Sequence, residues 1–143
     1  MQALRGVLLA ESGRCREAVP ILEDVSRDDP WWADARLLLG DCGYKSRRYR
    51  EAIDYYSCLI SSDSKVSSVI RNDALRNIGC AYHQLEDYAK AVEYLLKIKD
   101  AYDEYPEIKA QLDGFLASAY SHVGMTQEAA MYSGFSRGPN SVQ

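Results

Sequence analysis

Apolar residues recur along this chain at helical spacing. Leu75, Ile78, Gly79 and Tyr82 stand at i, i+3, i+4 and i+7, and Ala91, Leu95 and Ile98 form an answering stripe shortly after. Such spacing turns one face of a helix towards a core and leaves the opposite face to water. The polar pair Glu86-Asp87 separates the two stripes, and Gly13-Arg14, Arg47-Arg48 and Gly124-Met125 are similar breaks. No window sustains strict apolar–polar alternation, so the pattern predicts helices joined by tight turns and no strands. Asp29-Pro30 predicts a helix start, with Asp as N-cap and Pro in the first helical position.

The same phrase returns along the chain. YREAIDYY at 49–56 reappears as YAKAVEYL at 88–95, with echoes in CREAVPIL at 15–22 and TQEAAMY at 126–132. The shared alanines are Ala18, Ala52, Ala91 and Ala129, at intervals of 34, 39 and 38 residues. Twelve residues before each alanine stands another small residue: Gly6, Gly40, Gly79 or Ala117. Two antiparallel helices approach closely only where neither carries a bulky side chain at the crossing. Each repeat therefore reads as helix, turn, helix, and the phrase marks the second helix of each pair.

Composition narrows the classes. The 143 residues are 47% hydrophobic and 10% aromatic, enough to build a core. Eleven Tyr against two Phe suits rings that are buried while their hydroxyls reach an edge. The net charge of −4 has no strongly basic half to offset it, which argues against a duplex nucleic-acid binder. The apolar runs fall far short of the roughly 20 residues that span a bilayer. The start, MQALRGVLLAESG, lacks the cationic opening and cleavage pattern of a signal peptide. Cys15, Cys42, Cys58 and Cys80 have spacings of 27, 16 and 22, with no close pair to hold a metal or run a redox cycle. Four reduced, partly buried thiols in an intracellular, cytoplasmic protein are the expectation.

The small–Gly–Tyr–Ala pattern resembles the tetratricopeptide repeat, a helix pair of about 34 residues. The fullest unit is 72–105, with Leu75, Ile78, Gly79, Tyr82, Ala91 and Leu95 in place. The second keeps Leu39, Gly40, Ala52 and Tyr56, but Gly43 stands where Tyr is usual. The first keeps Gly6, Ala18, Leu22 and Pro30, and the fourth Leu116, Ala117, Tyr120 and Ala129, with its second helix degrading at Ser133. The resemblance implies an all-α fold, a right-handed α-solenoid of antiparallel helix pairs. It implies one array over 1–135, in units of about 1–30, 33–66, 72–105 and 110–135, followed by a short polar tail at 136–143. The first excess over 34 residues is placed in SSDSKVSS, 61–68. Met1 falls inside the first helix of a unit, and no amphipathic capping helix follows the fourth. The expectation is a piece of a longer array, with a module that dimerises or stacks through uncapped ends as the alternative.

By the same resemblance the first helices line a concave groove that binds a protein or peptide segment. The positions carried over are Asp34, Leu37, Asp41, Tyr44 and Lys45, then Asp73, Arg76, Cys80, His83 and Gln84, then Gln111, Gly114, Ser118, Ser121 and His122, with Ala3, Val7, Ala10 and Glu11 in the first unit. Some relatives clamp the C-terminal carboxylate of a chaperone with Lys, Asn and Arg. The matching places here are Ala3, Val7, Asp41, Arg76 and Cys80, of which only Arg76 fits and Asp41 would repel, so that function is rejected.

Three features remain. KSRRYR at 45–50 places Lys45, Arg47, Arg48 and Arg50 at a turn, which could take an acidic peptide, a phosphate or a membrane head group, although cations near a helix C-terminus are favourable without any ligand. Cys80 and His83 lie one helical turn apart, with His122 placed near His83 across the groove. They are the only candidates for a metal or catalytic site, and they lack the ligands to complete one, so neither enzyme activity nor a cofactor is expected. Trp31-Trp32 sits at the junction of the first two units, where one ring is expected in the packing and the other at the surface.

Overall fold

The computed structural model describes residues 2–61 and 66–134, and every regular element among them is a helix. They are α1 (Gln2–Glu11), α2 (Cys15–Glu23), α3 (Trp32–Lys45), α4 (Tyr49–Ile60), α5 (Ser68–Gln84), α6 (Tyr88–Leu96), α7 (Pro106–His122) and α8 (Thr126–Gly134). The chain forms two compact units, Met1–Asn77 and Ile78–Gln143, divided inside α5. In the first, α1 packs on α2 and α3, α2 on α3, and α3 on α4. In the second, α6 packs on α7 and α7 on α8. The repeated phrases at 49–56 and 88–95 open α4 and α6, as the spacing predicts.

The glycines explain how the pairs close. A Cβ on Gly79 would lie 2.6 Å from both Cγ and Cδ2 of Leu95, and one on Gly6 would lie 2.9 Å from Ile21 Cγ2 and Leu22 Cδ2. On Gly40 it would fall among the ring atoms of Tyr56. Each glycine thus receives a large side chain sixteen residues on, four beyond the alanine of the phrase. Ala18, Ala52, Ala91, Leu22 and Leu95 are fully buried, and Tyr56 is 1% exposed. The small residues admit specific knobs, which is a sharper role than the close backbone approach expected from sequence.

All four first helices end alike. Gly13, Arg47, Glu86 and Gly124 have φ of 86°, 62°, 63° and 83°. The following N–H reaches back five residues: Arg14 to Leu9 O at 2.8 Å, Arg48 to Gly43 O at 2.8 Å, Asp87 to Tyr82 O at 2.9 Å and Met125 to Tyr120 O at 2.9 Å. This left-handed cap favours glycine, and Arg47 and Glu86 adopt it at a steric cost. Arg47→Gly and Glu86→Gly should therefore each raise stability by about 0.5–1 kcal/mol. The check is a higher urea midpoint with an unchanged slope.

The spacer between the third and fourth repeats is also structured. After α6 the chain turns through short-range bonds, Ile98 N–H to Leu95 O at 3.2 Å and Ala101 N–H to Ile98 O at 3.1 Å, and buries Ile98 and Tyr102. Of the earlier spacer, 62–65 lie outside the described residues, as does the expected tail at 136–143.

Two expectations are corrected. Helix α3 starts at Trp32, later than Asp29-Pro30 suggested. Asp29 instead closes a turn, accepting the Trp31 N–H at 2.8 Å on its carboxylate and the Trp32 N–H at 3.0 Å on its carbonyl, because a short polar side chain bonds the backbone two residues on. Cys15 and Cys42 are not reduced thiols but a disulfide, with Cα atoms 5.7 Å apart. The reason is topological: packing of α2 on α3 brings the first residue of α2 beside the C-terminal half of α3, a proximity that a 27-residue separation conceals. Cys58 and Cys80 lie outside the disulfide.

Candidate functional site

The predicted groove positions divide by burial. Ala3, Val7 and Ala10 are buried, because α1 packs on both α2 and α3, so they do not present a surface. Asp34, Leu37, Asp41, Tyr44, Asp73, Arg76, Cys80, His83 and Ser118 are half-buried. Lys45, Gln84, Gln111, Gly114, Ser121 and His122 are exposed.

In the first unit the half-buried set centres on Asp41. Its carboxylate accepts the Tyr56 hydroxyl at 2.5 Å and the Asn77 side-chain amide at 3.2 Å. Three helices, α3, α4 and α5, meet at this one oxygen. Arg76 pairs with Asp73 at 3.7 Å beside it. Burial raises the Asp41 pKa above its ordinary value, opposed by the Tyr56 hydrogen bond and by Lys45 and Arg76. Asp41 thus joins helices together, and what remains outward is Lys45 with Tyr44, whose ring meets Tyr49 edge-on at 5.1 Å.

In the second unit three of the predicted residues come together. His83 Nε2 lies 3.0 Å from Ser118 Oγ, and His122 Nδ1 lies 2.8 Å from the Ser118 carbonyl. Sequence reasoning missed the two rings that complete the cluster. Tyr88 stacks on His122 at 4.0 Å and meets His83 edge-on at 5.2 Å, while Phe115 meets His83 edge-on at 5.0 Å. The sequence pattern places Tyr88 in the packing phrase. The signal available was its place two residues past the turn, where Tyr49 meets Tyr44 in the first unit.

His83 and Ser118 stand at the distance of a base and a nucleophile. Catalysis would also need a group to orient the imidazole, and no carboxylate bonds to His83 among the described residues. Burial, then His122, lowers the His83 pKa and favours a neutral ring. His83 and His122 have centroids 6.5 Å apart. No group of three or more potential metal ligands occurs among the described residues. No helix there is long and apolar enough to cross a membrane.

Trp32 is the packed member of the tryptophan pair, with the Arg27 guanidinium 4.6 Å and that of Arg36 5.8 Å from its ring, and Trp31 is half-buried.

Asp113 on α7 is 8% exposed, and its carboxylate accepts no hydrogen bond from another group among the described residues. Lys109, the cation near it, already bonds Asp103 at 3.1 Å and the Lys99 carbonyl at 2.5 Å. Burial raises the Asp113 pKa, and Lys109 opposes the shift. A raised carboxylate pKa means that the folded chain holds a proton which the unfolded chain has released. Stability therefore falls as pH rises from about 4, the ordinary aspartate value, through the raised one. Asp113→Asn should raise the urea midpoint at pH 7, and the gain should vanish below the ordinary aspartate pKa.

Two family models, each described as Tetratricopeptide repeat, match residues 4–65 and 73–104. Among solved structures, the crystal structure of MamA superposes with a TM-score of 0.72 at 21% identity, covering 92% of this chain and 71% of that one. An aspartate-to-lysine mutant of MamA gives 0.70 at 23% identity with the same coverage. At these identities the likeness is one of fold. No curated protein sequence matches the chain.

Proposed function

Since the chain belongs to the tetratricopeptide-repeat family, whose members are in general protein-interaction scaffolds, we propose that it binds a partner segment through the polar residues of its first helices. The observation that carries this reading is the cluster around His83. Exposed His122 is held against Tyr88 and anchored to the Ser118 carbonyl, while His83 is fixed by Ser118 and Phe115. A ring whose position is already fixed loses little freedom on binding, and Tyr is among the residue types enriched where interface energy concentrates. Exposed Gln84 on α5 and exposed Ser121 on α7, the helices that carry His83 and His122, add hydrogen-bonding capacity. The mechanism is static presentation, without chemistry at the bound segment.

The test is capture of a partner by the intact chain, followed by the same capture with His122→Ala, Tyr88→Ala and Lys45→Glu. The expected result is loss of the partner from at least the His122 and Tyr88 variants, with helical content unchanged. Equal recovery by all three would sink the reading. Self-association is a second reading, favoured by Leu8 on α1 and Met131 on α8, which are 57% and 60% exposed. A mass that rises with concentration in light scattering supports it, and a strict monomer removes it.

A further inference from the structure

Tyrosine fills the helix-pair seam twice in the second unit. Tyr82 stacks on Tyr94 with centroids 5.6 Å apart, and Tyr120 stacks on Tyr132 at 5.8 Å. One repeat earlier, the same two places hold Gly43 and Tyr55. Gly43 has no ring to contribute, and the atoms nearest its vacant Cβ position are those of Ala52, at 3.4 Å and beyond. Tyr55 instead lies under the Arg36 guanidinium, 5.8 Å from the ring centroid. A cleft of about 430 Å³ lies at this place, with Gly43 and Tyr55 on its walls and both Cys15 and Cys42 lining it. Of the two cysteines, Cys15 at the first turn of α2 is half-buried, while Cys42 is 5% exposed.

We propose that the Cys15–Cys42 disulfide, reached through the cleft that Gly43 leaves open, is a thiol-exchange site that forms a mixed disulfide at Cys15 with a low-molecular-weight thiol. The incoming thiolate attacks the more accessible Cys15 sulfur. A new S–S bond forms there, the Cys15–Cys42 bond breaks, and the Cys42 sulfur leaves as a thiolate that takes up a proton. A second thiol then displaces Cys15. Two small thiols are oxidised to their disulfide while the protein disulfide is reduced to two thiols. Reversal by the oxidised small molecule restores the link between α2 and α3. The chemistry is independent of the partner surface proposed above.

Glutathione and glutathione disulfide in graded ratios are the probe, applied to the folded chain, with peptide mapping by mass spectrometry. At intermediate ratios one glutathione should appear on the Cys15 peptide. At reducing ratios both Cys15 and Cys42 should become alkylatable, and re-oxidation should restore the disulfide. Cys42→Ser should accumulate the Cys15 adduct, because the thiol that resolves it is gone. Gly43→Tyr, which restores the missing ring, should slow exchange at Cys15 about tenfold or more, while exposed Cys58 reacts at its unaltered rate. The proposal fails if Cys15 and Cys42 alkylate only in denaturant, if the adduct forms on Cys42, or if a folded Gly43→Tyr chain exchanges as fast as the unaltered one. The arms on the unaltered chain do not depend on that variant folding.

Discussion

Tyr56→Ala is expected to lower the stability of the first unit by about 3–5 kcal/mol, the usual loss when a large buried ring is removed and its cavity cannot collapse. Tyr56 is 1% exposed, its ring fills the space that Gly40 leaves, and its hydroxyl is the shorter of the two donors on Asp41. Tyr56→Phe separates the two roles. The ring stays in place, but the half-buried Asp41 carboxylate keeps only the Asn77 amide, for a loss of about 1–3 kcal/mol. Adding Asp41→Asn to Tyr56→Phe should recover part of that loss, since the group left with one partner is then neutral. Both tryptophans lie in this unit, so fluorescence during urea unfolding reports on it directly. A Tyr56→Phe midpoint equal to that of the unaltered chain would show that the Asp41 junction contributes nothing.

Gly79→Val in the second unit is the complementary case of excess volume. Its Cβ would start 2.6 Å from two carbons of Leu95, which is fully buried and lies in a seam with Ala91 and Ile98. Overpacking of this kind costs about 1–3 kcal/mol, more than the few tenths of a kcal/mol that replacing a helix-interior glycine by β-branched valine returns. Leu95→Ala alone should cost about 2–5 kcal/mol by leaving a cavity. The two together should cost less than their sum, because the valine occupies part of the space the leucine leaves. Strict additivity in thermal melts followed by circular dichroism would refute the pairing of these positions.

The sequence carried the elements well because their signals are local. The four turns fall where Gly13-Arg14, Arg47-Arg48, Glu86-Asp87 and Gly124-Met125 place them, and the glycine marks coincide with the helix crossings. The candidate site was only partly legible. His83, Ser118 and His122 were named from their positions on first helices and do come together, whereas Tyr88 and Phe115 were not foreseen. Their role depends on where rings from α6 and α7 project, which periodicity does not encode. At Asp41 a residue expected to face the groove also carries a structural bond, since one of its carboxylate oxygens accepts from both Tyr56 and Asn77.

Read alone, the sequence determined the helix-pair architecture, the register of each pair and the repeat family. Those depend on helical spacing within each stripe, on the twelve residues from small residue to alanine within each pair, and on the recurrence of the phrase every 34 to 39 residues. Tertiary packing sets which polar residues are bound to one another, leaves the mostly buried Asp113 carboxylate without a donor among the described residues, and brings Cys15 to Cys42. Each of those rests on where side chains of different helices meet, Asp41 with Tyr56 within a pair and Cys15 with Cys42 between pairs, or on the burial that packing creates. Distances of that kind are set by how helices pack and are invisible to a count along the chain.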